Sequence, residues 1–149
     1  MELLVLSKDA QETIALGRKI AKLAKNGSTF CLTGDLGAGK TTLVRGIAQA
    51  LNIKSVVQSP TFNIMKIYFD GDKPLIHIDA YRLMDVDTDI GLDEYIGYET
   101  GLTVIEWPDY IKNLIPEDAS TISIINKGET NREITVTSND NQLIEGLKL

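Results

Sequence analysis

The sequence predicts an α/β fold, a mixed β-sheet flanked by helices in a single domain spanning 1–149. Three observations carry this expectation. Short apolar runs bounded by turn residues alternate with stretches of helical periodicity. Several runs, such as "TFCL", "LIHI" and "LTVI", are apolar almost throughout, as strands covered on both faces tend to be. Two stretches, 62–78 and 121–137, read as hairpins, so some strands run antiparallel and the sheet is mixed.

The elements follow in order. Residues 3–6 form a short strand. Ser7 or Asp9 then caps a helix, with Glu12 three residues after Asp9 as in a capping box. That helix carries Ile14, Leu16, Ile20 and Leu23 and stops near Asn26 and Gly27. "STFCLTG" is a buried strand. The next helix carries Leu43, Val44, Ile47, Ala48 and Leu51. "QSPTF" interrupts with a proline, "NIMKIYF" alternates like a half-exposed strand, and "DGDKP" turns into the strand "LIHID". "GLDEYI" is a short helix or loop, and "GLTVIEW" a buried strand. "PDYIKNLI" opens with proline at a helix N1 position. "STISII" and "REITVTS" are strands around the turn "NKGET", and "NQLIEGLKL" is a last helix.

Bulk composition excludes several classes. The 149 residues suit one domain with its own core, and 43% hydrophobic residues is ordinary for a globular chain. The apolar runs are far shorter than the ~20 residues that span a bilayer. "MELLVLSKDAQET" has no basic n-region and no small-residue cleavage site, so no signal peptide is expected. The lone Cys31 sits in "TFCL" and cannot form an internal disulfide, so it reads as a small core residue of a cytoplasmic protein. Acidic residues outnumber basic ones, 21 to 15, for a net charge of −6. That argues against strong direct nucleic-acid binding, which needs a basic surface, but not against work on RNA through a partner.

The chemistry begins at "GDLGAGKTT", 34–42. Gly34, Gly39, Lys40 and Thr41 match the P-loop spacing in full, between a strand and a helix. The fold class is therefore P-loop NTPase-like. Glycines adopt backbone angles that a Cβ forbids and let amides approach phosphate oxygens. The amides of 36–42 form an anion nest, and the helix behind adds its positive end. Lys40 neutralises β- and γ-oxygens, and the Thr41 hydroxyl binds Mg²⁺.

Such a cradle needs a carboxylate at the end of a neighbouring strand. Asp79 ends "LIHID" and Glu106 ends "LTVIE", both at the edge where open α/β sheets collect ligands. The residues alone do not rank them; one could hold the metal while the other orients the attacking water. His77 points to the same side as Asp79, either toward phosphate or as a packed, hydrogen-bonded residue. Arg82 either reaches phosphate or pairs with a nearby acid. Thr61 either senses a γ-phosphate or simply follows a proline-led turn. "NKGE" imitates a guanine-reading motif, but its fourth position is Glu and no Asp-x-x-Gly element precedes it; it reads as a hairpin turn.

"GDLGAGKTT", "SPTF", "HIDAYRL", "GLDEY" and "VIEWPD" occur in this order, preceded by "ETIALG". Together they resemble the TsaE (YjeE) family, the small ATPase of bacterial tRNA threonylcarbamoyladenosine synthesis, nearly end to end. The resemblance implies that Gly37, Ala38, Gly39, Lys40, Thr41 and Thr42 hold the phosphates of ATP or ADP. It implies that Thr41 and Glu106 form the magnesium side, and that Asp79 is the acid needed for hydrolysis. Ser59, Pro60 and Thr61 would be a first switch and 77–82 a second. Trp107 would lie near the nucleotide, and Gln11 and Thr13 would border the adenine. Arg132 matches an arginine that usually follows glycine and contacts nucleotide; here Asn131 precedes it. The family implies an ATPase that is weak alone and acts with the transferase TsaD and its partner TsaB. With TsaC they form the threonylcarbamoyl group on adenosine 37 of tRNAs reading codons that begin with A. ATP hydrolysis would reset the TsaD–TsaB complex.

Two other classes share the cradle. A small P-loop kinase normally carries an arginine-rich lid. This chain has Arg18, Arg45, Arg82 and Arg132, with no cluster. A non-catalytic nucleotide-sensing module would use binding alone to order the loops.

Overall fold

The computed structural model describes residues 1–35, 37–60, 64–83 and 91–149. It contains one seven-stranded sheet. The strands are β1 (Glu2–Ser7), β2 (Thr29–Gly34), β3 (Met65–Tyr68), β4 (Leu75–Asp79), β5 (Leu102–Glu106), β6 (Ser120–Asn126) and β7 (Arg132–Thr137). Three helices accompany them: α1 (Ala10–Leu23), α2 (Lys40–Ala50) and α3 (Asn141–Leu147).

The order across the sheet is β1-β7-β6-β2-β5-β4-β3. The four central strands are parallel, β2 pairing with both β6 and β5, and β5 with β4. At both margins pairing turns antiparallel, through β6–β7 and β1–β7 on one side and β3–β4 on the other. The sheet is thus mixed, and both hairpin-like stretches contain an antiparallel pair. β4 and β5 are buried along their whole length, which is why they read as continuous apolar runs. β1, at the edge, alternates instead.

Alternation along each strand divides the core in two. Leu32, Val104, Ile122 and Val136 pack with Ile20, Leu43, Ile47 and Leu143 of the three helices. Ile76, Ile78 and Ile105 point the other way, against Leu83, Leu92 and Ile111 of short 3₁₀ segments. His77, Asp79 and Glu106 occupy the strand positions that alternate with this second set, so they share the helix-side face.

Local signals explain most boundaries. Asp9 is the cap of α1, its Oδ1 accepting the Glu12 N–H at 2.9 Å, while Glu12 Oε1 accepts the Lys8 N–H at 2.8 Å. Ser7 does not cap the helix. Its buried hydroxyl lies 2.7 Å from Thr13 Oγ1 and ties β1 to α1. Helices α1 and α2 cross with their backbones in contact at Gly17 and Gly46. A Cβ on Gly46 would collide with the Ile14 carbonyl, and one on Gly17 with the Leu43 carbonyl.

One expectation changes. The segment opened by Pro108 is a 3₁₀ stretch, Pro108–Leu114, rather than an α-helix. It breaks at Ile111 (φ −136°, ψ 36°), whose side chain is buried in the second core. Pro108 itself stands at the helix start, as its fixed φ and missing N–H favour; what differs is the tighter 3₁₀ winding and the break three residues on. Cys31 is buried in β2, where burial, with the charge of Asp109 adding to it, pushes its thiol up to about 11. Among the described residues no helix is long and apolar enough to cross a membrane.

Candidate functional site

β2 ends at Gly34 and the chain turns back on itself before α2. The Ala38 N–H donates to the Asp35 carbonyl at 3.0 Å, closing the turn. Gly37 and Gly39 sit at φ 79° and φ 108°, in the left-handed region that side chains disfavour. Gly39 is the N-cap of α2, and no side chain caps its amides. A helix start left open in this way is a ready anion site.

Parallel pairing brings the acids to this turn. Asp79 and Glu106 are register partners at the ends of β4 and β5, and each is only 3% exposed. Glu106 faces two partners. Its Oε2 lies 2.6 Å from His77 Nε2, and its Oε1 3.6 Å from Lys40 Nζ. The Lys40 ammonium also stands over the Trp107 ring, 4.9 Å from its centre. Asp79 Oδ1 accepts the Tyr81 N–H at 3.0 Å, and the Ala80 N–H donates to the Glu106 carbonyl at 3.0 Å, so the two strand ends stay fastened.

These groups surround a cleft of about 700 Å³, lined by Gly37, Gly39, Lys40, Thr41 and Thr42 on one side. Ser59, Asp79, Tyr81, Glu106 and Trp107 line the other. Trp107 reaches it from a left-handed backbone (φ 57°) and stacks on Tyr110, rings 10° from parallel. Tyr81 leans on Trp107 with ring centres 5.0 Å apart. Ile64 is also left-handed (φ 67°), an uncommon state for a β-branched residue. Its N–H donates to the Pro60 carbonyl and its carbonyl accepts the Asp79 N–H, both at 2.7 Å. The backbone around Pro60 is thereby linked to the acid at the end of β4.

The expected residues divide into groups. Gly37, Gly39, Lys40, Thr41, Thr42, Asp79, Glu106 and Trp107 converge on one cleft. Ala38 is buried in the turn beneath it. Thr13 and Arg132 line a smaller hollow of about 140 Å³ beside Gly39 and Thr42. Thr13 is buried, and Gln11 is exposed on the first turn of α1. Thr61 lies outside the described residues, as does Leu36. His77, fully buried and bonded to Glu106, takes the packed, hydrogen-bonded reading. "NKGE" falls at the β6–β7 turn, as a hairpin turn should. Tyr110, which stacks on Trp107, had no signal in the sequence.

A cation would find oxygen donors here, a hydroxyl on Thr41 and a carboxylate on Glu106, both on the cleft wall. That donor set suits Mg²⁺, which takes one or two protein oxygens and completes its shell with phosphate and water.

Comparison with known proteins agrees with this architecture. The family model for Threonylcarbamoyl adenosine biosynthesis protein TsaE matches residues 7–134. The chain belongs to the TsaE family. A tRNA threonylcarbamoyladenosine biosynthesis protein TsaE of Bacillus subtilis (strain 168) is 44% identical over 132 residues, covering 89% of this chain and 83% of the relative. The protein of that name from Treponema pallidum (strain Nichols) is 41% identical over 133 residues, covering 88% of this chain and 97% of the relative. The crystal structure of Bacillus subtilis YdiB superposes with a TM-score of 0.82 at 36% identity, covering 99% of this chain and 95% of that one. The TsaE fold thus extends over the whole mixed sheet described above.

Proposed function

We propose that this TsaE-family chain binds ATP with Mg²⁺ and hydrolyses it to ADP and phosphate, as an accessory protein of tRNA threonylcarbamoyladenosine biosynthesis. The observation that carries the reading is the meeting of Lys40, Asp79 and Glu106 under an uncapped helix start. In this reading the amides of Gly37 and of 39–42 take the phosphates, the Ala38 N–H stays in the turn on the Asp35 carbonyl, and α2 adds its positive end. Lys40 leaves Glu106 for the β- and γ-oxygens and offsets their charge. Thr41 and Glu106 hold the metal, which supplies charge neutralisation at the phosphates. Asp79, at the tip of the neighbouring strand, orients the attacking water. His77 keeps the Glu106 carboxylate turned toward the cleft. Trp107 borders the nucleotide, Gln11 and Thr13 lie toward the adenine, and Thr61 belongs to a loop that responds to the γ-phosphate.

The family names support a role in tRNA threonylcarbamoyladenosine biosynthesis; the product proposed is the N6-threonylcarbamoyl group at adenosine 37 of tRNAs reading codons that begin with A. The partners proposed are TsaD and TsaB in the cytoplasm, with hydrolysis resetting their complex. The whole chain, 1–149, acts as one ATPase unit, weak alone. A net charge of −6 fits a protein that reaches tRNA through partners.

The test is ATP hydrolysis by the purified protein, alone and with TsaD and TsaB. Asp79→Ala should retain nucleotide and lose about a hundredfold or more in turnover. Glu106→Ala should lose the magnesium dependence of binding. A protein that neither binds ATP nor joins TsaD and TsaB would sink the proposal. Transfer of phosphate to an acceptor other than water would turn it into a kinase.

A further inference from the structure

We propose that Arg132 is a positioning residue of the phosphate cradle: it grips the turn by its carbonyls and acts on phosphate through the backbone. Arg132 opens β7 and pairs with Asn126 at the neck of the β6–β7 hairpin. Its guanidinium reaches 94 positions back along the chain. Nε donates to the Ala38 carbonyl at 2.7 Å, and Nη2 to the Gly37 carbonyl at 3.4 Å. On the hairpin side, Nη1 is shared among the Asn131 carbonyl at 2.9 Å, the Gly128 carbonyl at 3.1 Å and Asn126 Oδ1 at 3.3 Å. The planar fork therefore bridges two turns, which a lysine cannot copy.

The direction of these bonds gives them their consequence. No peptide bond among the described residues is cis. In a trans peptide the N–H points opposite to the preceding carbonyl. Turning the Ala38 carbonyl toward Arg132 therefore turns the N–H of Gly39, a residue that lines the cleft, away from the guanidinium. The Ala38 N–H is held in the turn by the Asp35 carbonyl, so the carbonyl of Gly37 and the amide of Ala38 are both fixed. All five acceptors of Arg132 are uncharged, so none of them offsets the guanidinium charge beside the turn.

The inference rests on the reading that the cleft takes a triphosphate, and the experiment separates the two. Calorimetric titration compares ATP with inorganic tripolyphosphate, which has no base or ribose, in the wild type and in Arg132→Gln. Loss of the grip should weaken both ligands by the same factor, about ten- to a hundredfold. ATP weakened with tripolyphosphate unchanged would mean that Arg132 touches base or ribose, and would overturn the proposal. Arg132→Lys should recover only part of the loss; full recovery would mean that charge alone matters and the grip does not. Asn126→Ala removes one hairpin contact and should give a smaller but again equal loss for the two ligands; an unequal loss counts against the grip. In ligand-free protein, hydrogen exchange at the Ala38 N–H should quicken in Arg132→Gln while the central strands stay protected. Unchanged exchange there would overturn the proposal too. If the wild type binds neither ligand, the triphosphate reading fails, and the exchange result alone decides the grip.

Discussion

His77 Nε2 and Glu106 Oε2 lie 2.6 Å apart on neighbouring parallel strands, with His77 fully buried and Glu106 nearly so. The carboxylate accepts, so Nε2–H donates. His77 lies on β4, between β3 and β5, with Lys66 and Val104 as its register partners. Its Nδ1 has no hydrogen-bond partner among the described residues. The bond fixes the rotation of the Glu106 carboxylate and leaves Oε1 on the Lys40 side.

Removing that ring exposes the dependence. His77→Ala leaves a buried carboxylate oxygen without its donor and a hole on the helix-side face of the sheet. Stability should fall by about 1–3 kcal/mol for the lost bond, with a further cavity cost. Urea unfolding measures it. His77→Gln, which retains a donor, should recover part of the loss; equal stability of His77→Ala and wild type would show that the bond contributes nothing.

Lys40 and Trp107 make a built-in reporter. Trp107 is the one tryptophan of the chain, and the ammonium sits 4.9 Å from its ring. Phosphate binding should draw Lys40 off Glu106 and off the indole, changing the emission of Trp107. ATP added to the wild type should shift intensity or wavelength, and Lys40→Met should abolish the response. A full response in Lys40→Met would show that Lys40 is not the group that moves.

The helix crossing tolerates no methyl. Gly46→Ala places a Cβ against the Ile14 carbonyl, which is backbone and cannot rotate away. Helix propensity gains about 1 kcal/mol from alanine, while overpacking costs about 1–3 kcal/mol or more. The net expectation is destabilisation, read as a lower unfolding midpoint. A midpoint at or above wild type would show that α1 slides aside freely.

Acid should release the turn at 54–55. Asp70 Oδ2 accepts from the Lys54 N–H at 3.0 Å and from the Ser55 N–H and hydroxyl, each at 2.9 Å. Desolvation raises the Asp70 pKa, but these hydrogen bonds outweigh it and hold the carboxyl below its ordinary value. A folded pKa below the unfolded one stabilises the fold above the unfolded value, and that contribution is lost as pH falls through the folded one. Unfolding midpoints measured from neutral pH downward should therefore fall more in the wild type than in Asp70→Asn. Parallel profiles would contradict this role.

Much of the site was legible because its signals are local. "GDLGAGKTT" carries its own turn, its own glycines and the start of its own helix, so strand, cradle and α2 follow from adjacent residues. The runs ending in Asp79 and Glu106 announced buried strands with an acid at the tip, and the hairpin turn at "NKGE" was readable from its composition. Less was legible after Pro108, where the proline opens a helical segment as expected but no local signal marks it as 3₁₀ or places the break at Ile111. The capping-box spacing of Asp9 and Glu12 already pointed to Asp9 as the cap, and the bond between them bears it out; the buried pairing of Ser7 with Thr13 had no local signal.

By itself the sequence determined the strand types, the cradle and the two acids, because hydrophobic period and turn chemistry act over a few residues. Only the tertiary structure decided that Asp79 and Glu106 stand side by side, that His77 serves Glu106, and that Arg132 grips a turn 94 positions away. Those relations come from strand order and register, which depend on contacts between distant segments. No stretch of the chain read alone contains them.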